Sequence, residues 1–133
     1  MAQSVGQRLI DGWNRRDGDI FAEDGTNENI AVGAKWEGRE AISRYLNEVE
    51  FSTDYRLVLL GEQSSGDQYA LEWESMGTND GPLAGMPPTN RPYRLRGSSI
   101  GRLDADGKIT ENRDYYNVLD LMTQLGLLPG PKS

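Results

Sequence analysis

The chain has 133 residues, 36% hydrophobic and 26% charged, a size and balance suited to one globular domain with its own core. Its 14 basic and 21 acidic residues give a formal charge of −7, which leaves no basic face for a phosphate backbone. With neither cysteine nor histidine, disulfides, thiol nucleophiles and zinc–thiolate sites are excluded, and proton transfer near neutral pH falls to a perturbed Asp, Glu, Lys or Tyr.

Residues 4–14 read as a helix, with Val5, Leu9, Ile10 and Trp13 at helical spacing and Ser4 as N-cap. A polar break at 14–19 leads to a short second helix around residues 20–22. The run Asp24-Gly25-Thr26-Asn27 has turn chemistry, and Ile30 and Val32 then alternate as a short strand. Residues 38–49 form a second long helix, whose stripe is Ala41, Ile42, Tyr45, Leu46 and Val49, with Trp36 packing on the same core.

After Thr53 the period changes to that of strands. Residues 55–60 form one strand, 62–67 a polar loop, and 68–78 a second strand with Tyr69, Leu71 and Trp73 on one face. Ala70, Glu72, Glu74 and Met76 occupy its other face. Residues 79–90 are a loop rich in Gly and Pro, 93–103 a third long strand, 104–107 a hairpin turn and 108–117 a fourth strand. The segment 118–128 is helical, with Gly126 at its C-cap and Pro129 beyond. Helices first and a meander of strands after give an α+β fold: a curved, mostly antiparallel sheet closed by helices around a conical cavity. No apolar run spans a membrane and no signal-like segment appears, so the cytoplasm is the expected location.

The candidate chemistry lies on carboxylates. Asp114 is either a pocket base, its pKa raised by burial, or a surface carboxylate paired with an arginine. Arg113 should face away from it, because adjacent strand residues alternate. Glu72 and Glu74 share a strand face and either join Asp114 or form an exposed acidic strip; three converging carboxylates would also suit a hard cation. Arg94 and Arg96 share a face and could neutralise those glutamates or polarise a substrate carbonyl. Tyr116 lies on the face of Asp114 and could donate to substrate or fill the core. Trp13, Trp36, Tyr45 and Met76 wall the cavity or fill the core.

Three segments, Gly85-Met86-Pro87-Pro88-Thr89-Asn90-Arg91, Gly107-Lys108-Ile109 with Arg113-Asp114-Tyr115-Tyr116, and Gln124 to Pro129, carry a resemblance. So does the helix start Gly38-Arg39-Glu40-Ala41-Ile42. Together they resemble the SnoaL-like polyketide cyclase branch of the nuclear transport factor 2-like superfamily. The resemblance implies the same α+β cone, a cofactor-independent enzyme, a small hydrophobic substrate and a homodimer; charge and hydropathy point to neither nucleic acid nor membrane as partner, and carboxylates on a sheet without a dedicated loop point to no metal. It implies an acidic residue that moves protons during aldol ring closure of a hydrophobic carbonyl substrate. The related limonene-1,2-epoxide hydrolase implies water activation instead, and other members of the superfamily only bind. By motif, Asp114 matches the catalytic aspartate, and Glu74 the hydrolase's second aspartate. Glu72 stands where the hydrolase has its arginine. Asn79 stands where relatives often carry His, and Asn117 where they often carry Asp. The catalytic set so implied is Asp114, Glu74 and Glu72, with Trp36, Tyr45, Met76, Asn79, Arg96 and Tyr116 at the substrate.

Overall fold

Three helices pack against one six-stranded sheet in the computed structural model, which describes residues 3–127. The order along the chain is α1 (Val5–Arg15), β1 (Phe21–Asn29), β2 (Ala34–Glu37), α2 (Arg39–Asn47), β3 (Arg56–Ser65), β4 (Gln68–Thr78), β5 (Pro92–Leu103), β6 (Ile109–Tyr116) and α3 (Val118–Leu125). The strands lie in the order β2-β1-β6-β5-β4-β3. Every neighbour pair is antiparallel except β1 with β6, which runs parallel. This is the α+β architecture expected from the change of period.

Local chemistry sets the helix ends. Ser4 caps α1 by accepting from the backbone N–H of Gln7 at 3.1 Å. A second orphan donor of that first turn, Gly6 N–H, is taken by the Glu62 carboxylate of β3 at 2.8 Å, which docks the helix on the sheet. Asn117 caps α3 by accepting from Asp120 N–H, and Gly126 closes that helix in the left-handed region. The expectations for Leu128 and Pro129 lie outside the described residues.

Residues 20–32 differ from the sequence reading. Phe21 and Ala22 of the expected short helix and the turn at 24–27 are parts of strand β1, Ile20 lies in the turn before it, and Ile30 and Val32 fall in the turn before β2. The turn-forming residues are absorbed as an irregularity in the β1–β6 register between Phe21 and Thr26. Gly25 fits there because a side chain would strike the backbone carbonyls of Ile109 and Ala22. The strand looks unlike one in sequence because Asn27 occupies a fully buried position and Asn29 a half-buried one, where alternation would call for apolar residues. The predicted loop at 62–67 is also mostly strand: β3 continues to Ser65, paired with Gln68, and only Gly66 and Asp67 turn.

Two buried clusters fill the space between sheet and helices. Leu9, Ile20, Phe21, Ile42, Leu46, Tyr69, Leu71 and Ile109 form one, where α1 and α2 meet the sheet. Ile10, Tyr55, Leu57, Trp73, Tyr93, Leu95, Leu121 and Leu125 form the other, around α3. Trp13 and Leu59 touch both. The second cluster is incompletely filled, and the cavity lies there.

Candidate active site

The cavity has a volume of about 280 Å³ and is partly open to solvent. Its walls are mainly apolar and aromatic: Leu9, Ile10 and Trp13 of α1, Tyr45 of α2, Leu57, Trp73, Tyr93 and Leu95 of the sheet, and Leu121 and Met122 of α3. Val32, Leu83 and Ala84 come from the connecting segments. Among the lining residues only Asp114 is ionised in its ordinary state near neutral pH, and none is lysine or arginine.

The sheet register explains how a carboxylate arrives there. Asp114 on β6 faces Ser99 on β5 and is the register partner of Asn29 on β1. One step along the strands, Asn112 faces Gly101 on β5 and pairs with Asn27 on β1. Two rows of polar side chains therefore cross the inner face of the sheet.

Those rows are joined by hydrogen bonds. The Ser99 hydroxyl donates to Asp114 Oδ1 at 2.6 Å, and Asn112 Nδ2 donates to the same oxygen at 2.8 Å. Ser99 in turn accepts from Trp73 Nε1 at 2.9 Å. Asn112 accepts from the Tyr69 hydroxyl at 2.6 Å and also donates to Asn27 Oδ1 at 2.8 Å. Asp114 Oδ2 accepts no hydrogen bond among the described residues, so one oxygen is held and the other is free on the cavity side.

Two glycines make the network possible. Gly97 and Gly101 flank Ser99 on the inner face of β5, directly opposite Trp73 and Tyr69 of β4. The aromatic rings lie over these glycines so closely that a Cβ at either would collide with them. Only this close approach lets Trp73 Nε1 reach Ser99 and the Tyr69 hydroxyl reach Asn112.

The electrostatics follow from this packing. Asp114 keeps some accessible surface because it forms part of the cavity wall, while protein surrounds it elsewhere. Burial pushes its pKa up from 3.8 to about 6, against the opposing pull of the Ser99 and Asn112 hydrogen bonds. Burial also raises the Tyr45, Tyr69 and Tyr116 hydroxyls, so all three stay protonated at neutral pH.

Of the residues singled out in sequence, Trp13, Tyr45, Asp114 and Tyr116 meet in the cavity. Arg113 faces outward, as alternation requires, 3.5 Å from Glu111. Glu72 and Glu74 do not join Asp114. They project from the outer face of β4, opposite Tyr69, Leu71 and Trp73, with the sheet between them and the cavity. There Glu74 pairs with Arg94 at 3.7 Å and Arg96 at 3.9 Å. Arg96 and Met76 share that outer face by the same alternation, which removes both from the substrate side and removes the three-carboxylate cation site.

Trp36 stands behind the wall, stacked on Tyr45 with ring centroids 3.8 Å apart. Asn79 is fully buried and structural. It donates to the carbonyls of Phe51 and Gly81 and accepts from the N–H and hydroxyl of Thr89, which fixes loop 79–91 above the cavity rim. Ser99, Asn112 and Asn29 were missed in the sequence. The available signal was a Gly-Ser-Ser-Ile-Gly stretch, with glycines at 97 and 101 opposite two aromatics.

Known proteins resemble this chain in sequence and in fold. A family model described as a SnoaL-like domain matches residues 7–112. Over 127 residues the chain is 29% identical to aklanonic acid methyl ester cyclase DauD of Streptomyces sp. (strain C5), covering 90% of this chain and 78% of that one. A hypothetical protein of Catenulispora acidiphila DSM 44928, with a ketosteroid isomerase-like fold and in complex with trimethylamine, superposes with a TM-score of 0.83. It is 22% identical, with all of both chains covered. A candidate SnoaL-like polyketide cyclase from Jannaschia sp. CCS1 gives 0.79 at 21% identity, over 97% of this chain and 99% of that one.

Proposed function

The chain belongs to the SnoaL-like family, and from that premise we propose that it is a cofactor-independent cyclase in which Asp114 moves the protons. Asp114 Oδ2 takes a proton from the carbon alpha to a carbonyl. The resulting enolate carbon attacks a second carbonyl of the same molecule, forming the ring bond. The alkoxide oxygen so produced receives the proton back from Asp114. No atom is lost, and the carboxylate ends as it began.

The observation that carries this reading is a carboxylate with a pKa of about 6 and one unbonded oxygen on an apolar cavity. A base is most useful when its pKa lies near the working pH, where it is ionised yet strong enough to take a proton. Apolar walls without a lysine or arginine suit a largely hydrophobic carbonyl compound, and the aromatic rings suit a planar one. The same lack of a cation beside Asp114 counts against epoxide opening by an acid–arginine–acid arrangement.

The test is turnover of aklanonic acid methyl ester, the compound in the name of the Streptomyces relative, by the wild type and by Asp114→Asn. A proton-transfer role predicts a loss of roughly 10²–10⁴-fold in kcat. Full turnover by the variant would remove Asp114 from the mechanism.

A further inference from the structure

We propose that Tyr116, aligned by Asn29, binds the substrate oxygen on which negative charge develops when Asp114 takes the proton. This rests on the reading of Asp114 as base and supplies the partner that Glu72 and Glu74 do not.

The placement comes from the parallel pairing of β1 with β6. Asn29 is the register partner of Asp114, and Ile30 N–H donates to the Asp114 carbonyl at 2.9 Å, which locks that register. Tyr116 lies two residues beyond Asp114 on the same strand face. All three side chains line the cavity. The carbonyl oxygen is two bonds from the carbon that gives its proton to Asp114, so it falls within reach of the wall that Tyr116 and Asn29 share with Asp114.

The hydrogen-bond directions fit. Asn29 Nδ2 donates to the Tyr116 hydroxyl at 3.0 Å. That hydroxyl accepts this bond, and its own proton has no protein acceptor among the described residues. An oxygen that already accepts a hydrogen bond is a more polarised donor through its remaining O–H. Burial raises the Tyr116 pKa and Asn29 only partly offsets this, so the phenol is a neutral donor at pH 7. The other amide atom, Asn29 Oδ1, is buried without a partner among the described residues. The enolate's charge spreads over carbon and oxygen, and a donor fixed in place before reaction stabilises it without reorganisation.

Asn29 is a positioning residue in this arrangement, because it acts through Tyr116. Its strand reads in sequence as a helix and a turn, and the parallel β1–β6 register is what brings Asn29 beside Asp114.

The test needs no turnover, which separates it from the test of Asp114. It uses Asp114→Asn, whose neutral side chain mimics the protonated acid, with 4-nitrophenolate as the enolate mimic and 4-nitrotoluene as its uncharged counterpart. Binding is followed by absorbance titration. Asp114→Asn binds the phenolate more tightly than the toluene. Adding Tyr116→Phe weakens the phenolate on the order of tenfold, the scale of one lost bond to a charged oxygen, and leaves the toluene unchanged. Adding Asn29→Leu instead weakens the phenolate in the same direction. Adding Tyr115→Phe, which removes a hydroxyl on the outer face near Arg113, changes neither. Equal losses for both probes on Tyr116→Phe would reduce its role to packing and overturn the proposal. So would an unchanged phenolate affinity, or a preference of Asp114→Asn for the toluene.

Discussion

Asp114→Asn should change stability in a way that depends on pH and needs no substrate. In the folded protein the Asp114 pKa is about 6, against 3.8 for the free side chain, because burial disfavours its charge. The folded state therefore binds this proton more tightly than the unfolded state. Its contribution is most favourable below about pH 4 and is lost as pH rises to about 6. A difference of about two units corresponds to roughly 3 kcal/mol, and contact with water in the cavity reduces this to about 2 kcal/mol. Asparagine keeps an Oδ1 that can accept from Ser99 and Asn112, and it has no charge to bury. The variant should thus match the wild type near pH 4 and exceed it by about 2 kcal/mol at pH 8. Urea denaturation at the two pH values measures this. Other carboxylates, such as Asp54 and Asp80 with their lowered pKa values, affect both proteins equally and cancel. A stability difference that is the same at pH 4 and pH 8 would refute the buried, pKa-raised carboxylate.

Other substitutions test the supporting structure. Ser99→Ala removes a 2.6 Å hydrogen bond to the carboxylate, so the Asp114 pKa should rise by about one unit and the acidic limb of the kcat/KM profile should move with it. The variant also leaves Trp73 Nε1 without its partner, at about 1–3 kcal/mol in denaturant unfolding. Gly101→Ala drives a methyl into the Tyr69 hydroxyl and the Glu111 carbonyl; we expect about 1–3 kcal/mol of destabilisation and a higher Asp114 pKa, because Asn112 loses its anchor. Asn79→Ala strands two carbonyls and the Thr89 donors, so amides of loop 79–91 should exchange with deuterium faster while those of β4 and β5 do not.

Much of the fold was legible because its packing is apolar and periodic. The stripe on α2 and the alternation Tyr69, Leu71, Trp73 in β4 each name a buried face without further help. The site was legible only in part, since its residues break that pattern. β1 carries Asn27 and Asn29 at positions where a core strand would be apolar, so its polarity disguises it as a turn. Alternation correctly separated Asp114 from Arg113. Alternation alone did not say which face of β4 is concave, and Glu74 was therefore paired with Asp114, although it lies beyond the sheet with Arg94 and Arg96. Asn29 reaches the site through a parallel pairing between the first and last strands, 85 residues apart at Asn29 and Asp114. No local pattern encodes such a contact.

The central claim is that the carboxylate at the cavity wall is poised near neutral pH. The direct measurement is the ¹³C carboxyl titration of Asp114 by NMR, assigned by the resonance missing from Asp114→Asn. A midpoint close to 6, shared by the acidic limb of kcat/KM, is what burial opposed by Ser99 and Asn112 predicts. A midpoint at or below about 4, the range of an ordinary aspartate, would contradict it.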